Sequence, residues 1–321
     1  MKTFNILILS SGRRVELVKL FKEAINELGL KGKIICADAS SYAPSLFFSD
    51  EKEVIPRIES PTFIETIINI SLKHDISLII PTIDTELLPL STNKKFIEKS
   101  TGAKVLISNE NLIKICRDKN KTQDFLEENG FKMPKRFKTE EEIRENDFPL
   151  FIKPISGSSS INAFKVTDFN QLKSYLDIIK TPIIQQNIVG DEYTVDVFCD
   201  FNSRIVSVVP RLRIETRGGE ISKGKIVRDN KIIDEVSKLV KIMKPIGHIT
   251  IQLFKTKSDI YFIEINPRFG GGAPMSIMSG ANSCKNLLRI LNGDQLDYNN
   301  DFIENQIYLR FDSSIVINDE N

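Results

Sequence analysis

Tryptophan is missing from the 321 residues, and His74 and His248 are the two histidines available. So small a supply argues against a histidine-rich metal centre or a histidine-based nucleophilic triad. The four cysteines, Cys36, Cys116, Cys199 and Cys284, stand singly, without the close pairs that zinc sites and redox motifs use. Long apolar runs are lacking as well: the stretch 6–9 is far too short to span a bilayer, and Arg13 and Arg14 follow it. Nor is there surplus charge. With 44 basic and 43 acidic residues the net charge is +1, which gives no bulk attraction to nucleic acid or membrane, so any anion site must be local. Tandem repeats and low-complexity tracts are absent too. These exclusions lead to the expectation of a cytoplasmic protein without a targeting segment. Its partners would be small molecules, not nucleic acid or membrane, and a homodimer is compatible with them.

What is present is the profile of a globular enzyme, and the length calls for two or three packed units. The opening reads strand (4–9), break (Ser10, Ser11, Gly12) and helix, with Val15, Val18, Phe21, Ile25 and Leu28 at helical spacing. Further strands are expected over 34–37 and 76–80, with a helix over 63–72 between them. This alternation predicts a small parallel sheet covered by helices. After about residue 108 the rhythm changes. Helices over 109–116 and 121–129 lead into a region with strands over 148–153, 163–166, 183–187, 193–199, 205–209, 249–254 and 260–265. Helices there fit 169–179, 231–243 and 275–291.

The run Ile263-Glu264-Ile265-Asn266-Pro267-Arg268-Phe269 followed by Gly270, Gly271 and Gly272 is the most informative segment. Side chains two apart on a strand face the same way, so Glu264 and Asn266 project together from an apolar sheet. A hairpin through Lys257, Ser258 and Asp259 brings Gln252 alongside them. Three oxygen donors of this kind suit magnesium, and the competing reading is a polar pair at a strand end. Lys153 closes an apolar strand, where an ammonium ion is costly unless an anion meets it. The small-residue loop Ser156, Gly157, Ser158, Ser159 and Ser160 can turn its backbone N–H groups toward phosphate oxygens, although a plain surface hairpin has the same composition. This is not the Walker pattern, because the lysine precedes the loop. The segment Gln185-Gln186-Asn187-Ile188 through Gly190 to Glu192 is either an adenine- and ribose-binding hinge or a simple hairpin.

Taken in order, Lys119, Lys153, the 185–192 hinge and the Gln252, Glu264, Asn266, Arg268 set resemble the ATP-grasp superfamily over nearly the whole chain. Within it they look most like the synthetase units of carbamoyl-phosphate synthase and the biotin carboxylase branch. Relatives of the D-alanine ligase branch have aspartate where Gln252 stands, which sets the chain apart from them, and an acidic residue often replaces Gln185. The resemblance implies a mixed α/β and α+β fold: a Rossmann-like pre-ATP-grasp domain (1–108) before an ATP-grasp domain (109–321), whose lid subdomain (about 118–187) and larger subdomain (about 188–321) grip ATP. It implies ATP as cofactor with two magnesium ions, or manganese in their place. Lys119, Lys153 and the 156–160 loop would contact phosphates, Gln185, Gln186 and Ile188 the adenine, and Glu192 the ribose. Gln252, Glu264 and Asn266 would hold the metal, and Arg268 would face the transferred phosphoryl group.

The expected reaction activates a substrate carboxylate as an acyl phosphate, forming ADP, for attack by an amine or ammonia. The catalytic candidates are Arg268, Lys153 and Arg211. Arg211 and Arg213 share one side of a strand edge, as a carboxylate fork or as a solvated basic rim. Ser11, Arg13 and Arg14 follow the first strand, where open α/β sheets place ligands. Asp84 and Glu86 occupy the matching end of a later strand, either to bind a substrate amine or to cap the next helix, with capping favoured for Asp84 and substrate for Glu86. His74 and His248 are read as structural. The alternative class is a catalytically idle ATP-binding regulatory or partner subunit. A dehydrogenase is disfavoured because the first turn lacks the Gly-x-Gly-x-x-Gly spacing.

Overall fold

The computed structural model describes residues 3–155 and 162–318. The chain opens as β1 (Asn5–Leu9), α1 (Val15–Glu27), β2 (Ile34–Asp38), β3 (Glu51–Val54), α2 (Phe63–Lys73), β4 (Ile76–Ile80), α3 (Leu87–Thr101) and β5 (Lys104–Val105). These strands pair in parallel in the order β3-β2-β1-β4-β5. Strand β1 is buried from Ile6 to Leu9, as a parallel strand covered on both faces must be. Ile6 and Ile8 pack with Val18 and Phe21 of α1. Leu7 and Leu9 pack on the other face with Phe63 and Ile67 of α2. The strand order reverses between β1 and β4, so the loops after both flank one crevice.

Two helices follow, α4 (Glu110–Arg117) and α5 (Lys119–Glu128), each capped by its preceding side chain: Asn109 accepts from the Leu112 N–H, and Asp118 from those of Asn120 and Lys121. Strands β6 (Arg136–Phe137), β7 (Leu150–Pro154), β8 (Phe164–Val166) and, after α6 (Phe169–Ile178), β9 (Pro182–Gln186) form an antiparallel sheet of order β6-β9-β7-β8. Leu150, Ile152 and Ile184 turn to the α6 side and form its core. By alternation Lys153 and Gln185 point to the opposite face.

The largest sheet is built from β10 (Asp191–Cys199), β11 (Ile205–Arg217), β12 (Glu220–Ile226), then, after α7 (Asn230–Met243), β13 (Gly247–Lys255) and β14 (Ile260–Asn266). Beyond it lie α8 (Ala273–Met278), α9 (Ser283–Leu291) and β15 (Ile307–Leu309). The sheet order is β14-β13-β10-β11-β12-β15, all antiparallel. Val195, Val197, Ile251, Leu253 and Ile265 pack against Ile232, Val236 and Leu239 of α7. The other face of the same strands is polar, and that face is the wall of the site.

The three sheets are not independent bodies. Helices α8 and α9 return to the first sheet, where Ile277, Leu287 and Leu288 join Leu17 and Phe21 in one core. The rings of Phe21 and Phe269 meet edge to face at 6.0 Å. No helix among the described residues is long and apolar enough to cross a membrane.

Several sequence expectations change here. Strand β11 is interior and runs to Arg217, so the reading of Arg211 and Arg213 as a strand edge is overturned. Strand β12, Glu-Ile-Ser-Lys-Gly-Lys-Ile, escaped notice because it lacks an apolar run; its extended form comes from pairing on both sides. The single helix expected over 275–291 is two, because Gly280 adopts φ +113, a conformation that ends α8.

Candidate active site

Strand pairing assembles the polar wall. Gln252 of β13 lies directly opposite Glu264 of β14 and opposite Thr194 of β10, which in turn faces Arg211 of β11. One step along, Asn266, Thr250 and Asp196 form a parallel row. Directly opposed residues share a face, so these side chains stand together. Gln252, Glu264, Asn266, Arg268, Arg211 and Arg213 line a cleft of about 390 Å3, with Arg14 and Asp84 arriving from the first domain.

Two lysines from other elements, Lys119 at the start of α5 and Lys153 in β7, feel the charge of this wall. Lys153 is buried, at 8% exposure. Burial pulls its ammonium down to about 8, while the charge of Glu264 opposes that shift and Lys119 adds to it. Burial also lowers Lys119, again resisted by Glu264. Burial raises the Glu192 carboxyl, with Glu264 adding to the rise, and lowers the half-buried Arg213, with Glu264 opposing. Glu264 is thus the charge that four candidate groups feel in common. Lys119 Nζ donates to Ile155 O at 3.4 Å, at the entrance to the 156–160 loop, which lies outside the described residues together with its expected phosphate contacts.

Some expected contacts are occupied differently. Arg211 is 1% exposed, and its Nε and Nη2 fork onto Asp196 at 2.7 and 2.9 Å. Burial alone would raise Asp196, but Arg211 and His248 hold its carboxyl well below the usual range, and Thr250 and Ser276 hydroxyls also donate to it. Arg211 therefore supports the site floor from inside and does not carry a free fork for substrate; the solvated-rim reading fails as well. Arg213 Nε lies 2.9 Å from Glu192 Oε1, so the residue expected at the ribose is an ion partner here. Gln185 is buried and donates to Gln123 Oε1 at 2.9 Å, while Gln186 is exposed and Ile188 half-buried in the β9–β10 loop.

Neither acid after β4 takes the role expected of it. Glu86 is fully buried, and its oxygens accept from Ser10 Oγ and from the Thr82 and Ile83 N–H groups, so the substrate role expected for Glu86 is corrected to a capping one. Burial pushes its carboxyl up to about 7. Asp84 instead forks onto Arg268, with Nε to Oδ1 at 2.8 Å and Nη2 to Oδ2 at 2.5 Å. Ser11 is buried and accepts from Ser45 Oγ, so it orders the turn after β1; Arg13 is exposed; Arg14 donates to Thr82 O at 2.7 Å. His248 stacks on Phe269 at 4.4 Å with Nε2 3.4 Å from Asp196, which is a structural position.

The triple glycine now has its neighbours. A Cβ on Gly270 would stand 2.8 Å from Thr250 Oγ1, one on Gly271 3.2 Å from the Glu220 carboxylate, and one on Gly272 2.5 Å from Arg211 Nη1. The loop lies directly on the polar wall, and at Gly270 and Gly272 a side chain would force its neighbours to move. Glu220 is a cleft residue the sequence reading missed, because it begins the unrecognised β12.

Among the described residues no group of three or more His, Cys, Asp or Glu could hold a metal. The Gln252, Glu264 and Asn266 set fits a hard cation by donor chemistry, all oxygen, but with a single carboxylate it needs the phosphates of a nucleotide to complete the shell.

Comparison with known proteins identifies the domains and the fold that carry this cleft. Residues 6–106 match the PylC-like N-terminal domain and residues 116–272 the ATP-grasp domain. A D-alanine–D-alanine ligase of Fusobacterium nucleatum is 28% identical over 180 residues, 53% of this chain and 60% of that protein's length. A carbamoyl-phosphate synthase of Methanobrevibacter smithii is 21% identical over 304 residues, covering 85% of this chain and 80% of the other. The biotin carboxylase domain of the Hydrogenobacter thermophilus 2-oxoglutarate carboxylase, solved with MgADP, ADP and bicarbonate, superposes with a TM-score of 0.73. Its identity is 16%, and the match covers 97% of this chain and 75% of that one. Gln252 thus does not separate the chain from D-alanine ligases in overall sequence. A fold is shared with that biotin carboxylase domain along nearly the entire chain, and the two domain matches in tandem, a PylC-like N-terminal domain and then an ATP-grasp domain, make this chain a member of the ATP-grasp superfamily.

Proposed function

We propose that the protein is an ATP- and magnesium-dependent ligase that phosphorylates a carboxylate and joins the resulting acyl phosphate to an amine, releasing ADP and phosphate. The observation that carries the reading is the strand register that sets Gln252 opposite Glu264, with Asn266 two residues on, in one cleft with Arg213 and Arg268. The sequence match to a ligase and the fold match to a carboxylase domain solved with MgADP support it.

In this reading Gln252, Glu264 and Asn266 hold one or two magnesium ions, with manganese as substitute. The metal would screen the charge of the phosphates and polarise the transferred group. Lys153 and Lys119 bind phosphate oxygens. A buried ammonium whose ionisation is suppressed in the empty cleft regains its charge when an anion arrives. Gln185, Gln186 and Ile188 would line the adenine, and Glu192 the ribose once Arg213 is drawn to an anion. The substrate carboxylate oxygen attacks the γ-phosphorus in line as the bond to ADP breaks. Arg268 would release Asp84 to face the phosphoryl group, since an oxyanion offers the same bidentate geometry. The amine nitrogen then forms the C–N bond as the C–O bond to phosphate breaks, and its protons pass to phosphate and water. Little covalent work falls to side chains, which fits a wall of Arg, Lys and carboxylate.

The test is incubation with ATP, Mg2+ and pools of carboxylates and amines. ADP and phosphate released only when both substrates are present is the expected result. AMP would exclude the mechanism, and nucleotide binding without turnover would favour the idle partner subunit. A second expected outcome concerns pH. Because Lys153 titrates near 8, its charge is present below that value and lost above it. The KM for ATP should therefore rise as the pH is taken from about 7.5 to 9.5. In Lys153→Arg, which stays charged, the rise should vanish. An identical rise in both forms would remove Lys153 from the phosphate site.

A further inference from the structure

The active cleft does not end at the first-domain loop. A second cavity of about 180 Å3 shares Arg14, Ile83 and Gly270 with it. A third, of about 320 Å3, shares Arg13 and Arg310 with the second. Among the described residues, Glu220 is the one that lines all three.

Of the carboxylates in the main cleft, Asp84 is forked by Arg268, and Glu264 stands opposite Gln252 in the set proposed to hold the metal. That leaves Glu220 to meet a substrate cation. Its carboxylate accepts from Arg310 Nη1 at 3.2 Å, and Gly271 leaves it room. Arg310, just past β15, also donates to Ile221 O at 2.9 Å, which fixes its guanidinium at the mouth between the second and third cavities, where Arg13 stands exposed.

Building on the ligase reading, we propose that the amine substrate itself carries an anionic group, carboxylate or phosphate. Its ammonium is held by Glu220, and its anion by Arg310 and Arg13. A zwitterion entering between Glu220 and Arg310 gives each the opposite charge that it loses, so neither is left unpaired on the cleft wall. A plain amine satisfies Glu220 but strips Arg310 of its acceptor. Both side chains are part-exposed, at 42% for Glu220 and 35% for Arg310, so water moderates the loss and the preference is graded, not absolute.

The experiment measures ADP release with ATP, Mg2+ and a carboxylate pool while the amine is varied: ammonia and ethylamine without an anion, glycine and β-alanine with a carboxylate, O-phosphoethanolamine with a phosphate. Anion-bearing amines are expected to support turnover, and the better arm identifies carboxylate or phosphate. With that amine, Arg310→Gln and Glu220→Gln should each raise its KM about tenfold or more, the loss of one charge-assisted contact. The KM for ATP should not change, and Arg310→Lys should recover part of the loss. Turnover equally fast with ethylamine or ammonia, or variants with an unaltered amine KM, would overturn the inference and leave the ligase reading standing. No ADP release with any amine would sink both.

Discussion

Glu264→Gln is expected to lower kcat on the order of a thousandfold with little change in melting temperature. The amide keeps the shape and one oxygen of the side chain but removes the single formal charge of the metal-binding set. It also removes the anion that supports the ammonium states of Lys153 and Lys119. Two readouts separate this from a general defect. Isothermal titration of ATP at rising Mg2+ should show the metal dependence of binding flattened. Lys153 should also titrate below the value of about 8 that it has beside Glu264. A variant with near-normal kcat would end the assignment of Glu264 to the metal.

The largest expected effect on stability belongs to Asp196→Ala. Asp196 and Arg211 are 2% and 1% exposed, and the guanidinium is fixed by the carboxylate alone of the charged groups within hydrogen-bond reach. Removing the acid leaves a buried cation without its anion, at a cost of about 3–5 kcal/mol. For a protein of this size that corresponds to a fall of roughly 5–10 °C in melting temperature. Asp196→Ala combined with Arg211→Met, which removes both charges, should recover much of the loss. If the double variant melts as low as the single, the buried pair is not the origin of the effect.

The elements legible in the sequence are those in which local pattern and final environment coincide. Strand β4 occupies residues 76–80 as expected, and β14 ends at Asn266, because apolar alternation bounded by turns specifies a strand wherever it packs. The facing of Gln252 and Glu264 was legible for the same reason: a hairpin register and a period of two decide it within fifteen residues. Strand β12 was not, since its alternation is charged and its strand character is conferred by β11 and β15. Glu220 was lost with it.

What the sequence by itself determined is therefore which side chains leave which face of each element, and through those faces the chemistry of the wall. Only the tertiary structure decided which charges are free to act. Arg211 and Arg268 look alike in sequence, yet one is sealed onto Asp196 and the other held by Asp84, 184 residues away. An ion pair of that kind depends on loops that meet only when two sheets dock. Its strength depends on how completely the docking removes water, and neither quantity is written in the spacing of residues along a strand.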